Sequence, residues 1–78
     1  MGEGAGVMSE KDIVGMVGAA LRRTGMRRGD GAYLVKPAHE AARRFGCAVR
    51  RVGVFRTRVT VEMERGGVPL PAVTVPLV

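Results

Sequence analysis

From Phe55 to Glu64 the chain alternates its side chains without a break. Phe55, Thr57, Val59, Val61 and Met63 fall on one side, and Arg56, Arg58, Thr60, Glu62 and Glu64 on the other. A period of two marks a strand with one face buried and one in water. Such a strand needs a cover supplied by the rest of the chain. Arg65-Gly66-Gly67 reads as a hairpin turn, and Val68 to Val78 as the returning strand. Pro69, Pro71 and Pro76 have no N–H for a ladder, which assigns that strand to an edge. Upstream, the stretch from Ala48 is rich in Val and Arg and extends the strand, with Gly53 the expected place for a bulge that changes face.

Two helices are predicted as the cover. Ser9 is an N-cap with Asp12 three residues on, and Met8 and Ile13 suit a hydrophobic staple. Ile13, Met16, Val17, Ala20 and Leu21 form a helical stripe. Arg22 and Arg23 complement the negative end of the helix dipole, and Gly25 is the expected stop. Gly15 and Gly18 weaken the helix but permit close packing. Ala32-Tyr33-Leu34-Val35 is a candidate short strand. A second helix is expected from Pro37 to Phe45, with Pro37 at its first position. Ala38, Ala41, Ala42 and Phe45 face in; His39, Glu40, Arg43 and Arg44 face out; Gly46 caps it. The fold class is therefore α+β, a helix-strand-helix unit followed by a long C-terminal β-hairpin. Residues 1–8 read as a flexible Gly-rich tail and 9–78 as a single small basic domain. A chain of 78 residues buries little core, so a homodimer, or docking on a larger complex through the C-terminal strand, is expected to help it.

Charge narrows the function. Thirteen Lys and Arg oppose seven Asp and Glu, for a net charge of +6 and a pI of 11.1. Between Leu21 and Thr60 eleven basic residues meet only Asp30 and Glu40, a local net of +9. This is the electrostatic footprint of a polyanion partner. The expected nucleic-acid contacts are Arg43, Arg44, Arg50, Arg51, Arg56 and Arg58. Arg22, Arg23, Arg27 and Arg28 form a second patch, and Lys36 lies between them in sequence. Arg holds phosphate with a planar fork. With no Asn or Gln, the usual adenine readers are missing, so backbone and shape contacts should dominate. Phe45 and Phe55 are assigned to the core, which leaves little for stacking on unpaired bases. Duplex DNA or structured RNA is thus the expected partner.

Catalysis is poorly provided for. One His, one Cys and one Ser are too few for a triad with supporting groups. His39 has no neighbour at metal-ligand spacing, and no metal, cofactor or catalytic residue is expected. Glu62 and Glu64 are more naturally solvated, or paired with Arg56, Arg58 or a neighbouring strand's charges. Gly29-Asp30-Gly31 and Gly66-Gly67 lack phosphate-loop spacing and read as turns. Cys47, alone, fits a reducing cytoplasm. No apolar run reaches the roughly 18 residues of a membrane span, and no signal peptide is read at the start. The missing amides are one mark of a thermophile protein.

The segment Ala41-Ala42-Arg43-Arg44-Phe45-Gly46-Cys47-Ala48-Val49-Arg50-Arg51-Val52 resembles a helix-turn-helix signature, with small inner residues, a large apolar residue and Gly at the turn. Val52 and Phe55 would then be inner positions of a recognition helix. With the strand before it and the hairpin after it, the order resembles a winged helix. Val49, Val52, Gly53 and Val54 depart from that pattern, being better strand formers than helix formers. The chain also resembles the archaeal Alba family, a small α/β dimer whose basic hairpin arms grip duplex DNA, although the first strand of that fold is missing and the second helix is short. Both resemblances imply a nucleic-acid-binding domain.

Overall fold

The computed structural model describes residues 8–78, so residues 1–7 of the expected tail lie outside the described residues. Two helices pack on one face of a four-stranded antiparallel sheet. Helix α1 (Glu10–Arg22) starts as its sequence requires: Ser9 has extended backbone and its hydroxyl accepts from the Asp12 N–H at 3.1 Å. Ile13, Val17 and Leu21 are buried, and Met8 packs partly against the core. Gly18 is closed over by Val73 and by the Arg22 guanidinium, each 3.4 Å from where a side chain would begin.

The expected strand at Ala32–Val35 is instead a 3₁₀ turn over Gly31–Leu34 that runs straight into α2 (Val35–Arg44). A four-residue apolar run does not distinguish strand from helix. Only Leu34 of that run is buried; Ala32, Tyr33 and Val35 face water. Helix α2 thus begins two residues before Pro37, which is tolerated there because N–H groups in the first turn have no helical acceptor. Ala38, Ala41 and Ala42 are buried as expected, and Phe45 is half-buried. Gly46, at φ +75°, ends the helix in the left-handed conformation that favours glycine.

The segment offered as a recognition helix is strand β1 (Ala48–Val54), which pairs with β2 (Arg58–Arg65). The alternation expected from Phe55 begins at Arg58. Residues 55–57 form the β1–β2 turn, with Phe55 and Thr57 exposed. From there the pattern holds: Val59, Val61 and Met63 are fully buried, while Arg58 and Glu62 are exposed on the other face. The expected bulge at Gly53 lies at Arg50 instead; Gly53 pairs regularly with Thr60. Gly66 and Gly67, both at positive φ, turn the chain as a two-residue hairpin of the primed type requires. The returning segment is two strands, β3 (Val68–Pro69) and β4 (Val73–Pro76), both on the free edge of β2. The sheet order is therefore β1–β2–β3/β4, with the Pro-bearing strands at an edge as expected.

The core joins Ile13, Val17, Leu21 and Leu34 of the helical layer to Val59, Val61, Met63, Val73 and Val75 of the sheet. Each fully buried aliphatic side chain contributes roughly 1.5–3 kcal/mol. Gly31 sits where this core is tightest: a Cβ there would lie 2.7 Å from Val59 Cγ2 and 3.1 Å from Val54 Cγ1. Gly31→Ala is therefore expected to cost about 1–3 kcal/mol by overpacking. Gly15 has nothing within 4 Å, so Gly15→Ala should stabilise by about 0.5–1 kcal/mol through helix propensity. Urea unfolding followed by circular dichroism measures both, and the two variants should shift the midpoint in opposite directions.

Candidate nucleic-acid interface

The eleven basic residues between Leu21 and Thr60 fall into three groups that do not follow their spacing in sequence. The first is on the helical layer. Arg23, at the end of α1, and Arg44, in the last turn of α2, line one shallow groove between the helices, together with Met16, Ala20 and Glu40. Met16, expected inside, is 49% exposed in that groove. Arg43 and Lys36 are exposed on α2, and Arg22 folds back over Gly18.

The second group is on the open face of the sheet. In a strand of strict period two, Arg50 and Arg51 would point to opposite faces. The bulge between Val49 and Arg51 leaves Arg50 without a pairing partner and sets Arg51 opposite Glu62. Both guanidinium groups are thereby brought to the acidic end of that face. Arg50 Nε lies 3.6 Å from Glu64 Oε1, the one ion pair among the described residues. Its side chains are 52% and 37% exposed, so solvent screens it strongly.

The third group is at the opposite end of β2. Arg56 belongs to the β1–β2 turn, Arg58 is the first residue of β2, Arg27 and Arg28 belong to the loop after α1, and all four are exposed. The main chain stitches these segments together. Gly29 N–H donates to Arg56 C=O at 3.0 Å, Arg28 N–H to Val78 C=O at 3.1 Å, Val78 N–H to Met26 C=O at 3.2 Å and Leu77 N–H to Thr57 C=O at 2.9 Å. Arg58 is four residues from Glu62, about 13 Å along a strand, so this end is separate from the Arg50–Glu64 pair. The pairs 43/44, 50/51 and 56/58, regular in sequence, thus occupy three regions, and Arg27 and Arg28 join the last of them.

Phe55, assigned to the core from its alternation, is 46% exposed at this same end, and the Arg58 guanidinium carbon lies 4.4 Å from its ring centroid. The signal that identifies Phe55 as a surface residue is its position before Arg56-Thr57-Arg58, a segment too polar to continue a half-buried strand.

His39 and Cys47 make local contacts. His39 Nδ1–H donates to the Val35 carbonyl at 2.9 Å on an exposed helix face. Cys47 is buried, with its thiol 3.7 Å from the Phe45 carbonyl. Among the described residues no group of three or more His, Cys, Asp or Glu side chains could hold a metal ion, and no helix is long and apolar enough to cross a membrane. Along the C-terminal segment, Leu70, Val73, Val75 and Leu77 are buried in the chain's own core, while Val68 and Val78 are exposed. No protein-family model matches the chain, no curated protein matches it in sequence, and no solved structure matches it in fold.

Because the Arg50–Glu64 pair is exposed, Glu64→Gln is expected to change the unfolding free energy by no more than about 1 kcal/mol. Thermal unfolding of parent and variant should converge as salt is raised, which differential scanning calorimetry would register.

Proposed function

We propose that this protein is a non-catalytic nucleic-acid-binding module of low sequence specificity that holds backbone phosphates through arginine. One observation carries the reading: Arg27, Arg28, Arg56 and Arg58 come from segments far apart in sequence and meet at one end through the Gly29–Arg56 hydrogen bond. The pairing puts four exposed arginines on adjoining segments of one end. Concentrated guanidinium groups raise the local positive potential, draw in a polyanion and release its counterions. Each group has a carboxylate nearby: Glu40 for Arg23/Arg44, Glu62 and Glu64 for Arg50/Arg51, and for the third group Asp30, whose N–H donates to the Arg27 carbonyl at 3.0 Å. The first two set two arginines against one or two acids and serve as secondary contacts, whereas the third sets four arginines against one. Low specificity follows from the absence of Asn and Gln, since these supply the two-pronged contact to adenine. The single buried thiol suits a reducing, cytoplasmic setting.

Fluorescence anisotropy on unrelated nucleic-acid sequences tests this. Four phosphate contacts imply a slope of log affinity against log salt of about −3 to −4. Changing Arg27 and Arg28 together to Ala should reduce that slope by about one to two units and weaken all sequences alike. Changing Arg50 and Arg51 should reduce it less, because Glu62 and Glu64 already offset them. His39→Ala should leave affinity within about threefold of the parent. A slope near zero on every probe would overturn the reading.

A further inference from the structure

Phe55 is an exposed aromatic held in a defined place. Its ring lies beside Gly53, where a Cβ would come within 3.1 Å of Phe55 Cε2 and 2.6 Å of Thr60 Oγ1. Glycine at this position leaves the ring room to fold back onto the open sheet face. On the neighbouring strand, Arg58 sets its guanidinium 4.4 Å from the ring centroid. The Phe55 N–H donates to the Arg58 carbonyl at 2.9 Å, which fixes the two residues side by side. The result is a pair of planar groups, one aromatic and one cationic, with nearly half of the Phe55 surface still in water.

We propose that Phe55 and Arg58 form a stacking platform for an unpaired nucleobase, with the flanking phosphates held by Arg27, Arg28 and Arg56. The inference rests on the nucleic-acid reading above and narrows its substrate to single-stranded or looped segments. Aromatic rings and guanidinium planes are the surfaces on which splayed bases stack. Within a continuous duplex both faces of each base are already covered by its neighbours, so the platform gains nothing there. Assigning Phe55 to the core favoured duplex partners, and its exposure removes that argument. Arg58 then has two roles, as a phosphate-range cation and as a planar partner for ring and base.

The test uses the whole chain and three labelled probes of about 12 nucleotides, a length within single-strand site sizes: an oligothymidine, the same strand with abasic sites, and a mixed-sequence duplex. The parent is expected to bind the base-bearing strand at least about fivefold more tightly than the abasic strand, since only the former has bases to stack on the aromatic ring. Phe55→Ala should erase that preference while leaving abasic-strand affinity and its salt slope within about twofold of the parent. Phe55→Tyr should keep the preference, and Phe55→Leu, which retains apolar cover over Gly53, should lose it. Equal binding of base-bearing and abasic strands by the parent overturns the platform while leaving the phosphate reading intact. So does a Phe55→Ala loss that is the same on both strands. Absence of salt-dependent binding to any probe overturns both.

Discussion

Strand β2 pairs with β1 along one edge and with β3 and β4 along the other, and its inward side chains Val59, Val61 and Met63 are fully buried. Both helices rest on the layer of side chains it anchors. Burial of that one face decides the register of the whole sheet, because a slip of one residue would put Arg58, Thr60 and Glu62 into the core. The unpaired cost of burying such groups far exceeds what any surface contact could return. The positions of the charged residues follow: with one face committed to the core, β2 must display a basic end at Arg58 and an acidic end at Glu62 and Glu64 on the other.

Features set by local chemistry were legible in the sequence. The Ser9 cap, the inner face of α2, the Gly66-Gly67 turn and the edge position of the Pro-bearing strands each follow from residue type at a fixed offset. What was not legible depended on tertiary neighbours. Phe55 fits the alternation but lies in the turn before β2 begins, so its parity means nothing. Ala32–Val35 has strand-like composition and no open ladder beside it. The resemblance of 41–52 to a helix-turn-helix has a specific cause. Val49 and Val52 both face inward because the bulge at Arg50 inserts a residue between them. Their spacing of three therefore imitates a helix within a strand.

The candidate site was legible in composition and not in arrangement. Counting charges finds every arginine assigned to the proposed interface, and the regular recurrence of Arg pairs suggests one surface. The fold disperses them, because α2 lies on the opposite side of the sheet from the Arg50–Glu64 pair and the bulge turns two neighbours to one face. The joining of Arg27 and Arg28 to Arg56 depends on main-chain hydrogen bonds between loops, for which single residues carry no signal.

The stitching of those loops has a thermodynamic consequence. Four guanidinium-bearing positions repel one another, and left to itself such a set would spread apart. Here the segments are held by hydrogen bonds to the C-terminal residues and to each other. The conformational entropy of ordering them, about 1–2 kcal/mol per residue, is lost when the chain folds and not when a ligand arrives. On the proposed reading, an anion reaching this end would meet segments already ordered by the fold. Neutralising like charges there would then favour the folded chain, so binding would raise its stability.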